Sequence, residues 1–258
     1  TISAIFPQLF LENVMKLSPD QKQAIQKHVE AAVAKIQRYQ QLNGGFTYWP
    51  GNNFYNSWSN SYAGHFMVEA ERRGHYVPPQ MLSNWINYQK SVASSWIAGD
   101  DQAELDQAYR LYTLAVAQRP ELGAMNRLRE SSNLGNTARW LLAAAYQLMG
   151  LSDVASELIR DANYSVGSYR LAGFTLCSAL RDKAMILESL SLMKRWEEAK
   201  PIADEIAREL SASRWYSTQS IAFSLIAMGH FVGEGISDAG LKFTQVVGNR
   251  EAQTVNID

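Results

Sequence analysis

Apolar residues recur at helical spacing along almost the whole chain of 258 residues. Ile2, Ile5 and Leu9 follow one another at steps of three or four, and Val29 and Val33 continue the pattern in the next segment. This spacing places an apolar stripe along one side of an α-helix. Because the pattern returns in about a dozen segments, the sequence predicts an all-α domain.

Turn and capping signals separate these segments. Residues 18–21 read Ser-Pro-Asp-Gln, a capping box with proline in the first turn of the helix. Gly44 and Gly45 are predicted to end that helix, and Pro79 and Pro120 to open later ones. The connections between helices are therefore expected to be short.

Two kinds of helical segment alternate along the chain. One kind is rich in Ala, Leu and Ser and fits a position with neighbours on all sides, whereas the other is charged along one face and fits an outer layer. The alternation predicts a double-walled ring, an α/α toroid of about six antiparallel helix pairs over residues 1–240. An open solenoid is less favoured, because neither end carries a polar capping helix. The apolar segments are residues 62–71, 106–117, 137–149, 182–193 and 219–228, and the clearest charged ones are residues 152–162 and 196–210.

The last part of the chain, residues 241–258, does not follow the helical pattern. Lys-Phe-Thr-Gln-Val-Val at residues 242–247 alternates polar and apolar side chains and leads into a Gly-Asn turn signal. We therefore expect an extended tail whose strand belongs to a neighbouring domain of a larger parent protein. The start at Thr1, with no initiator Met, also suggests a piece of a longer chain.

Composition and charge argue against several partners. The net charge is −1, from 24 Lys and Arg against 25 Asp and Glu, so no electrostatic footprint for nucleic acid or an anionic membrane is present. No stretch of about 20 apolar residues could insert into a membrane. The single Cys177 cannot form an internal disulfide and is predicted to be a buried structural thiol, because no histidine or cluster of cations adjoins it in sequence.

The usual catalytic and cofactor motifs are not found. The chain has no phosphate-binding glycine loop and no nucleophile elbow, and its four histidines are scattered. His65 and Glu69 lie one turn apart, but two ligands do not make a metal site, so a hydrogen bond or ion pair on the helix surface is expected instead. We predict neither a metal nor a cofactor.

An acidic cluster follows Gly99 and leaves an enzyme reading open. Glycoside hydrolases built on helical toroids use paired carboxylates. The favoured interpretation is nevertheless a solvated helix start, where acidic side chains interact well with the helix dipole. The cluster consists of Asp100, Asp101, Glu104 and Asp106.

The strongest local signal is aromatic. Seven aromatic residues are interleaved with Gly, Asn and Ser, and rings of this size are costly to expose, so they should wall a pocket or an interface. The pattern Gln40, Gly44, Phe46 within this stretch also occurs in terpene cyclases and other helical toroids, which favours the fold more than any chemistry. The seven aromatics are Phe46, Tyr48, Trp49, Phe54, Tyr55, Trp58 and Tyr62.

Several segments together resemble the thioester domain of bacterial alpha-2-macroglobulins, relatives of the complement proteins. Thr-Ile-Ser-Ala-Ile-Phe-Pro-Gln-Leu at residues 1–9 resembles the helix that directly follows the reactive Cys-x-Glu-Gln motif of that family. Gly-Gly-Phe-Thr-Tyr-Trp-Pro-Gly at residues 44–51 resembles the next segment. Further similar segments follow in the family's order at residues 125–130 with 138–146, 178–184 and 215–220.

The resemblance implies an α/α toroid of six helix pairs and a function in protease trapping. A protease cleaves a bait segment elsewhere in the parent protein, and a sheltered Cys–Gln thioester is then exposed to a lysine amine of that protease. The reactive Cys and Gln would precede Thr1, while Thr1, Ile2 and Ser3 would continue their helix. Cys177 does not fit the motif, because no Glu-Gln follows it.

The resemblance also implies a pocket, a preferred nucleophile and a location. Complement relatives that prefer hydroxyl targets carry a histidine near the thioester, and residues 92–106 contain none, so amines should be preferred here. The parent protein would reside in the periplasm, at the cell surface or outside the cell, and would meet target proteases and its own neighbouring domains. The candidates for the thioester pocket are Phe46, Tyr48, Trp49, Trp58 and Tyr62, with Trp215 and Tyr216 contributing from the far side.

Two other functions stay open at this stage. A helical-toroid enzyme acting on carbohydrates or terpenoids would need apposed carboxylates or an Asp-rich cation motif, and only the cluster from Asp100 to Asp106 comes near. A pure interaction scaffold would favour an elongated solenoid over a compact ring.

Overall fold

A computed structural model describes residues 2–49, 51, 54–132, 134–167, 178–239, 242–245 and 253–256. The chain begins with α1 (Ile2–Ile5), a 3₁₀ helix (Phe6–Phe10) and α2 (Leu11–Val14), which we call together the N-terminal segment. The remaining elements are α3 (Pro19–Gln37), α4 (Ser57–Arg72), α5 (Pro79–Ser94), α6 (Asp101–Val116), α7 (Leu122–Arg129), α8 (Asn136–Leu148), α9 (Ser152–Leu158), α10 (Ala179–Leu192), α11 (Trp196–Ser211), α12 (Thr218–Ala239), β1 (Lys242–Gln245) and β2 (Gln253–Asn256).

Side-chain caps fix where the helices begin. At the start of α3 the backbone N–H of Gln21 donates to Ser18 Oγ at 3.2 Å, and the N–H of Ser18 donates to Gln21 Oε1 at 2.8 Å, which confirms the predicted capping box. Asn56 caps α4 and Asp100 caps α6 by accepting backbone N–H bonds from the first turn. The start of α5 at Pro79 is also confirmed.

The end of α3 differs from the prediction. The helix ends at Gln37 and not at Gly44 and Gly45. The chain turns back early because the side-chain amide of Gln40 donates to the carbonyl oxygens of Gly44 at 3.0 Å and Met81 at 2.8 Å. Gly44 instead lets the chain pack closely against α5, because a Cβ at this position would lie 2.1 Å from a backbone carbonyl oxygen of that helix. Its φ of +90° is also a backbone conformation that glycine adopts readily.

The helices form the predicted double-walled ring. The N-terminal segment, α4, α6, α8, α10 and α12 form the inner layer, in which each contacts the next and α12 returns to contact the N-terminal segment. Helices α3, α5, α7, α9 and α11 pack outside them. The apolar segments predicted to be surrounded are the inner helices, and the charged segments at residues 152–162 and 196–210 are outer ones. The prediction of an α/α toroid is confirmed.

The count of six helix pairs is not confirmed. In the part of the chain that the structure describes, five inner segments are each followed along the chain by an outer helix, whereas α12 contacts α11 and is followed by no further helix. The extended tail is present as strands: β1 pairs antiparallel with β2, with Lys242 opposite Asn256 and Gln245 opposite Gln253. Whether the tail leads to a neighbouring domain stays a prediction. Among the described residues, no helix is long and apolar enough to span a membrane.

The ring closes where α12 meets the N-terminal segment. A Cβ on Gly229 would lie 2.6 Å from the Cβ of Phe10, and one on Gly233 would lie 2.4 Å from the side-chain nitrogen of Asn13. That nitrogen also donates to the carbonyl oxygen of Gly229 at 3.0 Å. The two glycines, four residues apart on one helix face, therefore let the backbones approach closely enough to close the ring.

Substituting Gly229→Ala should destabilise the ring. The added methyl group meets a Phe10 Cβ that cannot move without its backbone, so we expect a loss of about 1–3 kcal/mol in the free energy of unfolding. Guanidinium unfolding followed by circular dichroism measures this change. Gly123→Ala is the matched control, because a Cβ there meets no atom within 4 Å and Ala suits helix α7 better than Gly. Equal effects of the two substitutions would contradict the close contact at the seam.

Candidate functional site

The aromatic segment predicted from the sequence forms a folded loop between α3 and α4. Isolated β-bridges join Gln40 to Phe46 and Thr47 to Tyr55, and the N–H of Tyr48 donates to the carbonyl oxygen of Phe54 at 3.0 Å. The loop therefore turns back on itself, with Phe46 buried and Tyr48 and Trp49 partly exposed. We call residues 44–55 the aromatic loop.

Asn60 attaches the aromatic loop to α4. Its Oδ1 accepts from the backbone N–H of Phe46 at 2.6 Å, and its Nδ2 donates to the carbonyl oxygen of Phe46 at 2.8 Å. Both Asn60 and Phe46 are buried. Sequence reasoning missed Asn60, although a buried amide beside an irregular loop is a residue type that satisfies backbone groups which helices and sheets leave unpaired.

The aromatic loop forms one wall of a cavity of about 380 Å³. The opposite walls are α1, through Ile2 and Ile5, and the last turns of α3; the first turns of α4 complete the lining. The lining is mainly apolar, with a few polar groups at its edge, which is typical of a binding cavity. The lining residues are Ile2, Ile5, Ala32, Lys35, Ile36, Tyr39, Phe46, Thr47, Tyr48, Trp49, Ser59 and Ala63.

Three of the predicted pocket residues meet in this cavity. Phe46 is buried, whereas Tyr48 is 47% exposed and Trp49 is 63% exposed. The Tyr48 and Trp49 rings contact edge to face, with centroids 5.3 Å apart. The cavity therefore has a closed apolar floor and a partly open aromatic rim. Sequence reasoning missed the contribution of Lys35, Ile36 and Tyr39, which come from the last turn of α3 and the turn that follows it.

Trp58 and Tyr62 lie in the core of the ring and do not line the cavity. The Trp58 ring packs on Tyr109 with centroids 4.6 Å apart, and Tyr62 packs on Phe6 and Phe223. Tyr62 still reaches the N-terminal segment, because its hydroxyl donates to Ser3 Oγ at 3.4 Å. Burial raises the pKa of Tyr62 far above its usual value, so the hydroxyl remains a neutral donor.

The remaining predicted residues are dispersed. Trp215 is 88% exposed before α12, and the Tyr216 hydroxyl donates to Glu209 of α11. Neither is among the residues that line the cavity. Thr1 lies outside the described residues, as does Cys177, whereas Ile2 lines the cavity. A role for all of these in sheltering a thioester stays a prediction.

The acidic cluster is only partly the solvated helix start that the sequence predicted. Asp100 caps α6 as expected, with its carboxylate 2.9 Å from the N–H of Ala103. Glu104, in contrast, is fully buried and accepts from Ser131 Oγ, because α6 is an inner helix. Burial raises the pKa of Asp106 to about 6, although Arg110 and a hydrogen bond from Gln102 act in the opposite direction.

The prediction of a surface pair between His65 and Glu69 is wrong. Both side chains are buried, because α4 is an inner helix with neighbours on all sides. The carboxylate of Glu69 pairs with Arg72 at 2.8 Å, whereas His65 Nε2 lies 3.8 Å from Glu188 of α10. Among the described residues, no group of His, Cys, Asp and Glu side chains could hold a metal ion.

The fold is similar to that of known proteins although the sequence is not. No family model and no curated protein matches the sequence. A structure of E. coli alpha-2-macroglobulin from domain MG7 to the C-terminus has a TM-score of 0.75 at 23% identity, covering 98% of this chain and 42% of that one. This chain has the fold of a helical part of bacterial alpha-2-macroglobulins.

Two further solved structures of bacterial alpha-2-macroglobulins give the same result. Salmonella alpha-2-macroglobulin reacted with methylamine has a TM-score of 0.76 at 22% identity, covering 99% of this chain and 17% of that one. Trypsin-activated E. coli alpha-2-macroglobulin has a TM-score of 0.74 at 22% identity, covering 100% of this chain and 19% of that one. The chain thus spans less than a fifth of the length of these two proteins.

Substituting Asn60→Ala should loosen the aromatic loop. The change leaves the buried N–H and carbonyl groups of Phe46 without their side-chain partner, so we expect a loss of about 1–3 kcal/mol in the free energy of unfolding. We also expect a changed near-ultraviolet circular dichroism signal, because the loop aromatics lose their fixed orientation. Asn43→Ala is the control, since Asn43 is exposed and its side chain accepts from the N–H of Gly45 within its own turn. A fully stable Asn60→Ala variant would show that the loop is held by other contacts.

Proposed function

We propose that this chain is the thioester-type domain of a protease-trapping inhibitor of the alpha-2-macroglobulin kind. Its task in this proposal is to shelter a Cys–Gln thioester contributed by residues upstream of Thr1. The observation that carries the proposal is the cavity between α1 and the aromatic loop, at the start of a ring with the alpha-2-macroglobulin fold. The family-like segments along the sequence support the same interpretation.

The physical requirement for such a domain is exclusion of water and amines. A thioester is an activated acyl group that hydrolyses or reacts with amines when they reach it, so its lifetime depends on shielding. Ile2 lies in the cavity wall, so a chain that enters α1 passes next to this apolar space. The buried Phe46 and the half-exposed Tyr48 and Trp49 would form the shield on the opposite side.

The nucleophile in this proposal is an amine, namely a lysine of the trapped protease. The Salmonella relative has been solved after reaction with methylamine, a small nucleophilic amine, and E. coli relatives after activation by trypsin and by elastase. Residues 92–106 contain no histidine that could favour hydroxyl targets instead. The protease is bound through the whole parent protein, with the chain acting as a scaffold and not as an enzyme.

The proposal also specifies where the protein acts. A trap for foreign proteases belongs in the periplasm, at the cell surface or outside the cell, and it needs the neighbouring domains that carry the bait. The chain itself would shield the thioester and hold it in position. The alternative, a helical-toroid enzyme for carbohydrates or terpenoids, rests on the acidic cluster from Asp100 to Asp106. In the structure Asp100 caps α6 and Glu104 is hydrogen-bonded to Ser131, so these two carboxylates have structural partners.

The experiment needs the parent protein with the residues upstream of Thr1. Sequencing that region tests for Cys-x-Glu-Gln, and incubation with a fluorescent alkylamine after trypsin treatment tests for covalent labelling. We expect labelling that requires trypsin and that disappears when the upstream Cys is replaced by Ala. Labelling without trypsin would contradict the sheltering of the thioester, and an upstream sequence without Cys and Gln would contradict the covalent function.

Substituting Trp49→Ala in that parent protein should shorten the life of the thioester. Removing the ring opens the rim of the cavity to water, so we expect release of the free thiol to speed up about tenfold, equivalent to about 1.4 kcal/mol. Thiol titration against time measures this rate. Tyr76→Ala is the matched control, because Tyr76 is an exposed aromatic outside the cavity. An unchanged rate in Trp49→Ala would exclude Trp49 as a shield.

A further inference from the structure

A cluster of ionisable side chains lies buried in the ring, separate from the residues that line the aromatic cavity. It contains His65 and Glu69 of α4, Tyr112 of α6, Glu188 of α10 and His230 of α12. All are buried except His230, whose side chain is 16% exposed. The cluster therefore brings together four of the six inner segments, and the proposed function gives it no role.

The contacts converge on one oxygen, Oε1 of Glu188. The Tyr112 hydroxyl donates to it at 2.8 Å, while His65 Nε2 lies 3.8 Å and His230 Nε2 lies 3.7 Å from the same atom. The two imidazole distances are too long for hydrogen bonds, so these rings interact with the carboxylate through electrostatics. Two histidines from different helices thus face one buried acid.

The contact at Nδ1 of His65 indicates which ring nitrogen carries the proton. Its Nδ1 lies 3.1 Å from the Tyr109 hydroxyl, and in the described part of the chain that hydroxyl has no other hydrogen-bond partner. Tyr109 therefore donates its proton to Nδ1, which leaves the proton of a neutral imidazole on Nε2, facing Glu188. Protonating His65 would turn Nδ1 into a donor and leave the buried Tyr109 proton without an acceptor.

Burial lowers the pKa of His65, and the negative charges of Glu188 and Glu69 oppose this effect while His230 and Arg72 reinforce it. Burial alone would raise the pKa of Glu69, but His230, His65, Arg72 and Arg73 together hold it below its usual value. At neutral pH the cluster thus combines a charged Glu69 with a neutral His65. The titratable and charged groups around His65 are Glu69, Arg72 and Arg73 of α4, Tyr109 and Tyr112 of α6, Glu188 of α10 and His230 of α12.

The cluster adjoins the seam that closes the ring. His230 follows Gly229 in sequence, and its ring packs on Phe10 with centroids 4.6 Å apart. The Arg73 guanidinium lies 3.9 Å from the centroid of the same Phe10 ring. His65 meets Phe6 edge to face at 5.0 Å. A charge that appears in the cluster therefore acts directly on the contact between α12 and the N-terminal segment.

We propose that this cluster is an acid-sensitive latch, which holds α12 against the N-terminal segment at neutral pH and releases α12 when protons enter at mildly acidic pH. The sign of the effect follows from linkage. In the folded state the pKa of His65 lies below the unfolded value of 6.5, so below that pH the unfolded chain binds more protons than the folded one. Stability is therefore lost as the pH falls through this range.

Hydrogen exchange measured by mass spectrometry on this chain tests the latch. We compare protection factors, corrected for intrinsic exchange, at about pH 7.5 and about pH 5.5, on either side of the ordinary histidine pKa. We expect protection of α12 to fall about tenfold, because the proton taken up by His65 favours the open form over the closed seam. Protection of α8, which contributes no side chain to the cluster, should fall less. A uniform fall, or none in α12, would overturn the proposal.

The matched variants locate the effect. His65→Asn keeps an acceptor for Tyr109, because the amide oxygen of Asn takes the place of Nδ1, but it cannot take up a proton, so the fall in α12 protection should disappear. His28→Asn is the control on an exposed histidine, and His75→Asn controls for a partly buried histidine outside the cluster whose pKa is also lowered by burial. If His65→Asn does not fold, His65→Gln serves instead, because it also removes the imidazole that takes up the proton. An acid response that persists in the His65 variant that folds would overturn the latch.

Discussion

The contact between α12 and the N-terminal segment is the constraint on which the rest of the structure depends. Gly229 and Gly233 allow the two backbones to approach, and Asn13 bonds across the contact. Without this contact α4 and α12 would each expose a face that now carries large buried rings, such as those of Trp58 and Phe223. An inner helix of a ring has neighbours on all sides only when the ring is closed, so the apolar composition of these helices is viable only in the closed form.

Closure also organises the chemistry of the interior. The same surrounded helices carry polar groups that cannot reach water, and these groups find partners on other inner helices: Tyr112 with Glu188, and His65 with Tyr109. The N-terminal segment is held in turn by Tyr62 through Ser3. The cavity beside α1 is therefore supported from behind by the packed core, and its aromatic rim is exposed.

The sequence predicted the layers well and the individual sites less well. Alternating composition was enough to identify α4 as an inner helix and α11 as an outer one, because composition reports how much of a helix meets water. It could not place Trp58 and Tyr62 in the core or His65 away from the surface. Helical spacing shows that side chains share a face, but the packing of several helices decides what that face meets.

Local residues by themselves determined the helical class, the capped helix starts and the succession of two helix types, because each depends on interactions between near neighbours in the chain. Only the tertiary structure decided that α3 ends early, that the aromatic loop and α1 enclose a cavity, and that two histidines face Glu188. These features depend on distances between residues far apart in sequence. Such distances are set by the closed ring, in which every inner helix positions the next.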